Sequence, residues 1–279
     1  MEDIELNIAG IAVRARIDGA CLRDHVDARF GAYRTPVGAE AIALSVRLVD
    51  GWRPPRPPAV PYPGAEGIER DDGSVYFLRE TDALTWWPAA QRAEGERVGA
   101  VSKRPAVVDA TPLDTPLRLI LSHELPRRGG LLVHAAGYGD ARGAVVFMAP
   151  TRGGKTTTTR KLPHACVLSD DQVALRREGG AWWAYALPFV GEYARATVPQ
   201  RHPLRAIVLL EKASKLSLVR ATPGEAIARV LGCTVRFVRG GDASVLLALA
   251  AELTTTTPVW RLALAKDDPV DDVLKALLA

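Results

Sequence analysis

The sequence predicts an α/β protein in two parts, a smaller, mostly β region over residues 1–125 and a P-loop domain over residues 126–279. Three observations lead there. The first part alternates apolar and polar side chains in short runs, the period-two pattern of half-buried strands. From Leu131 onward the rhythm changes to apolar strands interspersed with helical stretches. Within that second part stands Ala149-Pro150-Thr151-Arg152-Gly153-Gly154-Lys155-Thr156, which fits G-x-x-x-x-G-K-[ST] with alanine in the first place.

Taken in order, Ile4 to Ile17 reads as a hairpin with Ala9-Gly10 near its bend, and Ala41 to Val49 as a further strand. Trp52 to Pro63 is a proline-rich loop whose prolines offer no ladder donors. Ser74 to Leu78 and Ala83 to Trp87 read as strands and Thr115 to His123 as a helix. No motif of chemistry occurs in this part. In the second part, Leu131 to Ala136 reads as one apolar strand containing His134, and Gly137 to Gly143 as a polar turn. Ala144 to Met148 is the strand that feeds the glycine loop, and Lys155 to Leu162 is helical. Cys166 to Leu168 is a short strand ending at Ser169-Asp170-Asp171. Strands follow at Gln172 to Arg176, Trp182 to Ala186, Arg205 to Leu210 and Leu216 to Val219. Helices over Pro223 to Leu231, Asp242 to Leu253 and Pro269 to Leu278 close the chain, the two leading prolines suiting a first helical turn.

The 279 residues carry 36 Lys and Arg against 32 Asp and Glu, a formal charge of +4. The arginines are scattered rather than clustered, which argues against a nucleic-acid partner. A mild basic excess also suits a polyphosphate site. Cys21, Cys166 and Cys233 form no CxxC pair, so neither a zinc framework nor a redox dithiol is expected. The acidic start, Met1 to Glu5, lacks the form of a signal peptide. The best apolar run, Val245 to Leu253, falls short of the roughly 20 residues that cross a bilayer. The expectation is a soluble cytoplasmic protein with no membrane partner.

The loop carries the strongest chemical signal. A strand before it and a helix after it aim backbone N–H groups at phosphate. Gly153 and Gly154 let the backbone approach closely. Lys155 is placed to reach the β- and γ-phosphates of a purine nucleoside triphosphate, and Thr156 to hold Mg²⁺ through its hydroxyl. Ala149, Thr151, Arg152 and Thr157 complete the candidate nucleotide contacts, Ala149 being compatible with the loop where its φ is negative.

Asp170-Asp171 is the second signal. P-loop enzymes hold Mg²⁺ with an acid at a strand end, and transfer to a hydroxyl profits from a carboxylate that takes its proton. Adjacent residues within a strand point to opposite faces, so the pair serves both purposes only where the strand ends. A plain polar turn explains two aspartates equally well by itself; the loop just upstream tips the reading toward function. His134 is the third candidate, and a structural histidine near a strand end accounts for it as readily. Glu192 and Arg195 read more simply as a surface pair. Leu168-Ser169-Asp170-Asp171-Gln172 superficially matches the LSGGQ signature of transporter ATPases, but two carboxylates there would repel a γ-phosphate.

With Leu131 to Ala136, the glycine loop and Leu168 to Val173 in that order, the chain resembles the catalytic domain of the HPr kinase/phosphorylase family, especially its HPr-kinase-like bacterial relatives. Pro203 to Glu211 and Pro258 to Leu262 are also similar to those relatives. The resemblance covers roughly Gly129 to Ala279. It implies a fold related to phosphoenolpyruvate carboxykinase, with the P-loop on a mixed sheet, and transfer of the ATP γ-phosphate to a serine hydroxyl. Carried onto matching positions, Asp170 is the base, Asp171 a Mg²⁺ ligand, and His134 lies beside the phosphates and orients Asp170. The family's loop reads G-x-x-G-x-G-K-[ST], so Ala149 and Arg152 depart from it, and no segment matches the one that docks HPr. That argues against HPr itself as the substrate and against phosphorylase activity; relatives of this kind are found beside peptide-modification genes, so the resemblance implies a Ser or Thr hydroxyl of a peptide or protein as the acceptor. Family members often assemble through the kinase domain, which leaves a homo-oligomer open.

Two further readings stand beside a peptide kinase: a nucleotide-binding regulator without turnover, motivated by Ala149 and Arg152, and a kinase for free serine or a similar metabolite. A GTPase lacks its [NT]KxD motif, Ala265-Lys266-Asp267-Asp268 matching only the last three positions. A eukaryotic-type protein kinase needs HRDxxxxN, and the only asparagine is Asn7.

Overall fold

The computed structural model describes residues 3–18, 23–49, 67–78, 82–98, 112–150, 153–189, 191, 197–237, 243–265 and 268–279. The chain is α/β and divides into two units, Met1–Glu124 with Arg236–Gly241, and Leu125–Val235 with Asp242–Ala279. The proline-rich loop over Trp52 to Pro63, Thr151, Arg152, Glu192 and Arg195 lie outside the described residues.

The first unit is built on a seven-stranded sheet. Its strands are β1 (Asp3–Ile8), β2 (Ile11–Asp18), β3 (Ile42–Val49), β4 (Gly67–Glu69), β5 (Val75–Leu78), β6 (Asp82–Trp87) and β7 (Arg92–Val98), in the order β1-β2-β3-β7-β6-β5-β4. The opening hairpin forms as the sequence predicts. Ala9 and Gly10 take φ of 52° and 77°, the left-handed pair that a two-residue hairpin turn requires. Val13 and Ala15 are buried while Arg16 is exposed, so the alternation lays one face of β2 on the core. Three elements escaped the sequence reading: α1 (Arg23–Phe30), β4 and β7. In α1, Val26 and Phe30, four apart and so on one helical face, are buried. β7 reads Arg-Ala-Glu-Gly-Glu-Arg-Val and is nonetheless central in the sheet. The division between units falls inside α2 (Asp114–Arg127).

The second unit holds a nine-stranded mixed sheet. Its strands are β8 (Gly130–Val133), β9 (Ala135–Asp140), β10 (Gly143–Met148), β11 (Val167–Ser169), β12 (Val173–Glu178), β13 (Ala181–Tyr185), β14 (Arg201–Lys212), β15 (Ser217–Arg220) and β16 (Val259–Leu264). The path runs β11-β9-β10-β14-β13-β12-β8, with β16 between β14 and β15. β10 lies parallel to β14, and β14 parallel to β16. Every residue of β10 is buried, as a strand covered on both faces must be. Ala144, Val146 and Met148 join one core with residues of α4 (Pro223–Cys233) and α5 (Ala243–Thr256). Val145 and Phe147 join a second core with Val273, Leu274 and Leu278 of α6 (Asp271–Leu278). The remaining helix, α3 (Lys155–Thr159), follows the glycine loop.

Two sequence expectations are corrected here. Leu131 to Ala136 is not one strand: the chain bends at His134, β8 pairing with β12 and β9 with β10 and β11. Gly137 to Asp140 is not a turn but part of β9. Its glycines serve close packing, since a Cβ at Gly137 would stand 3.0 Å from Leu168 and Val173, and one at Gly139 only 2.5 Å from His202. β16 was also missed, its six residues lying inside what reads as a run of closing helices. Among the described residues no helix is long and apolar enough to cross a membrane.

Candidate functional site

β10 and β11 both run antiparallel to β9 and hence parallel to each other. The glycine loop after β10 and the Asp170-Asp171 pair after β11 therefore leave the same edge of the sheet, the carboxyl end where ligands of α/β sheets bind. Register ties them together. Ala135, first in β9, pairs with Met148, last in β10, and its amide donates to the Asp171 carbonyl at 3.1 Å. His134, Ala149 and Asp171 are thus neighbours of one register position.

Each described residue of the loop has a physical reason. Ala149 is fully buried and is not among the residues with positive φ, so an alanine fits where the motif has glycine. The Gly153 amide closes a turn onto the Pro150 carbonyl at 2.9 Å. A Cβ at Gly153 would stand 2.6 Å from the Ala149 Cβ and 2.8 Å from the Pro150 oxygen, so the side chain lost at 153 makes room for the one gained at 149. Gly154 sits at φ 102°, a conformation that glycine alone takes freely. Lys155 is 7% exposed and folds back on its own loop, Nζ donating to the Ala149 carbonyl at 2.8 Å and the Pro150 carbonyl at 3.2 Å. Thr156 and Thr157 are half-buried in the first turn of α3. That helix is five residues long, shorter than the stretch to Leu162 that the sequence predicts, so its macrodipole is small.

β11 ends at Ser169, which puts both aspartates at a strand terminus. The Ser169 hydroxyl accepts from the amides of Asp171 and Gln172, each at 3.1 Å, and so folds the turn that carries them. The two carboxylates then diverge in surroundings. Asp170 is 7% exposed, and its Oδ1 accepts the Gly191 amide at 2.9 Å. The Asp171 carboxylate is 20% exposed, and its Oδ1 lies 3.2 Å from His134 Nδ1. The sequence reading set His134 beside Asp170; the histidine's ion pair is with the other aspartate, at the level to which the bend between β8 and β9 brings it, beside Ala135.

Two neighbours of this site had no signal in the sequence. Cys233 closes α4, and its carbonyl accepts the His134 amide at 2.7 Å. Burial pushes its thiol pKa up, against the opposing pull of the Lys155 and Arg229 charges. Gly191 follows β13 by a short stretch and meets Asp170 from 21 residues away in sequence.

The hard oxygen donors of Thr156 and Asp171 fit Mg²⁺, which binds through one or two carboxylates plus substrate phosphates. Among the described residues no group of three or more His, Cys, Asp or Glu is arranged to hold a metal ion by itself. In the first unit, a hollow of about 590 Å³ is lined by Arg16, Arg47, Trp87, Glu94 and Glu96 among others. Its charges are matched locally, Arg16 to Asp3 at 2.9 Å, Arg47 to Glu96 at 3.5 Å and Arg92 to Glu94 at 3.6 Å. It is a solvated sheet face with paired ions, and the chemistry-bearing residues converge in the second unit. No protein-family model matches the chain, and no curated protein matches it.

Proposed function

We propose that the chain is an ATP-dependent kinase of the HPr-kinase-like kind, which transfers the γ-phosphate to a Ser or Thr hydroxyl of a peptide or protein. The observation that carries this reading is the convergence of Lys155 and its glycine loop with His134, Asp170 and Asp171 at one sheet edge, joined through the Ala135–Met148 pair and the Ala135–Asp171 hydrogen bond.

Each residue has a part. Backbone amides of the loop cradle the phosphates, and Lys155 leaves the carbonyls of Ala149 and Pro150 to meet the β- and γ-phosphates. Asp170 takes the proton of the acceptor hydroxyl as its oxygen attacks the γ-phosphorus in line; the bond from that phosphorus to the β–γ bridging oxygen breaks, and ADP leaves. Thr156 and Asp171 would hold Mg²⁺, which would supply neutralisation of the phosphate charge. His134 acts on Asp171, fixing the orientation of a carboxylate ligand as outer partners of metal sites do.

The test is phosphate transfer from Mg·ATP to seryl and threonyl peptides, followed by mass spectrometry. An intact protein that adds one phosphate, and an Asp170→Asn variant that loses at least a hundredfold in rate, support the reading (general-base catalysis is worth about 10²–10⁴). Full transfer by Asp170→Asn would remove Asp170 from the role of base.

A further inference from the structure

Gly191 stands against Asp170 for a reason that its own backbone does not supply. Glycines are commonly required where φ is positive, and Gly191 is not among the positive-φ residues. What a side chain would meet there is the carboxylate itself. A Cβ at Gly191 would lie 2.7 Å from Asp170 Oδ2 and 3.0 Å from both Cγ and Oδ1. The same residue's amide donates to Asp170 Oδ1 at 2.9 Å. The approach and the hydrogen bond are one arrangement: the backbone comes close enough to bond the carboxylate because no side chain holds it off.

Asp170 is thereby held from two sides. On its own strand the Ser169 hydroxyl fixes the turn through the amides of Asp171 and Gln172. From across the site the Gly191 amide fixes the carboxylate group at the end of the side chain. A terminal carboxylate torsion is broad and soft, so the turn alone sets where the side chain begins and not how its oxygens face. A charge-assisted hydrogen bond from a backbone amide is directional and stronger than a neutral one.

We propose that Gly191 is a positioning residue for Asp170, its amide and its missing side chain together setting the orientation in which the carboxylate meets the acceptor hydroxyl. The inference rests on the kinase reading of Asp170 for its consequence, though not for its geometry. Gly191→Ala pushes the carboxylate out of place by a fraction of an ångström to about one ångström. Misplacement on that scale costs on the order of a hundredfold in rate. Nucleotide is held by other residues, so its affinity is left unchanged.

Two measurements decide it. In the first, kcat and the ATP dissociation constant are compared for the intact protein, Gly191→Ala, Asp170→Asn and the double variant. The expected result is a kcat loss of about tenfold to a hundredfold for Gly191→Ala, ATP affinity within twofold, and no further loss when Gly191→Ala is added to Asp170→Asn, since two residues acting through one contact are not additive. Equal losses from Gly191→Ala in both backgrounds would overturn the proposal, because a merely structural residue weakens both alike. In the second, the Gly191 amide is followed by NMR in the intact protein and in Asp170→Ala. The expected result is an amide proton protected from exchange in the former and released in the latter. An amide indifferent to Asp170→Ala would also overturn the proposal. If the intact protein transfers no phosphate but the amide responds as expected, the kinase reading fails while the contact stands.

Discussion

His134 Nδ1 lies 3.2 Å from Asp171 Oδ1, while Asp170 next door is tied to the Gly191 amide, so two adjacent aspartates are assigned to different partners. The division suits one carboxylate that serves Mg²⁺ and one that takes a proton. His134→Ala then loosens the metal side alone. The expected outcome is a Mg²⁺ requirement for turnover raised about 10–100-fold, with ATP affinity measured without Mg²⁺ unchanged. Titration of activity and of nucleotide binding against Mg²⁺ checks it.

On the proposed reading, Lys155 trades its two backbone carbonyls for phosphate oxygens when nucleotide binds. A hydrogen bond to a charged group contributes about 1.5–3 kcal/mol, or about ten- to a hundredfold in affinity. Lys155→Ala is expected to weaken ATP binding by that factor and to abolish transfer, which isothermal calorimetry and a phosphate-transfer assay would read.

Gly153 and Gly154 fail differently when given a side chain. Gly154→Ala meets no atom within 4 Å but must hold φ near 102°, at a cost of about 1–2 kcal/mol. Gly153→Ala collides with Ala149 and the Pro150 carbonyl, one of the two that Lys155 holds. Overpacking of this kind costs about 1–3 kcal/mol. Both variants lower the melting temperature. Gly153→Ala weakens ATP binding more, and the further change Ala149→Gly restores part of it by emptying the space that the new Cβ needs.

Tyr138, Asp140 and Arg142 provide a pH test remote from the loop. Arg142, with help from the Tyr138 hydroxyl, holds the Asp140 carboxyl down at about 2, and burial, with the same carboxylate adding to it, pushes Tyr138 up to about 12. The Asp140 contribution to stability is complete above the ordinary carboxylate value and is lost as pH falls through about 2. Asp140→Asn is therefore expected to lower the melting temperature slightly at pH 7, with the difference from the intact protein shrinking between pH 4 and pH 2. Thermal melts across that range check it.

Local patterns made much of this legible. The Ala9-Gly10 bend announced its hairpin because only a tight turn wants two left-handed residues between alternating strands. The glycine loop announced itself because strand, glycines, lysine and hydroxyl must follow in fixed order. The failures share a cause. Gly137 and Gly139 read as a turn because glycine in a sequence does not say whether it bends the chain or admits a neighbour; the packing of Leu168, Val173 and His202 decides, and that is tertiary. β7 and α1 are rich in charged residues and carry few apolar side chains, so their periodicity is faint. The His134–Asp171 pair and the Gly191–Asp170 contact join distant parts of the chain, and no spacing rule reaches them.

The most direct measurement is the fate of labelled γ-phosphate from Mg·ATP incubated with a library of seryl and threonyl peptides, for the intact protein and for Lys155→Ala. The account predicts label on a Ser or Thr hydroxyl with the intact protein and none with Lys155→Ala. ATP bound with no label on any peptide, or label that persists in Lys155→Ala, would contradict it.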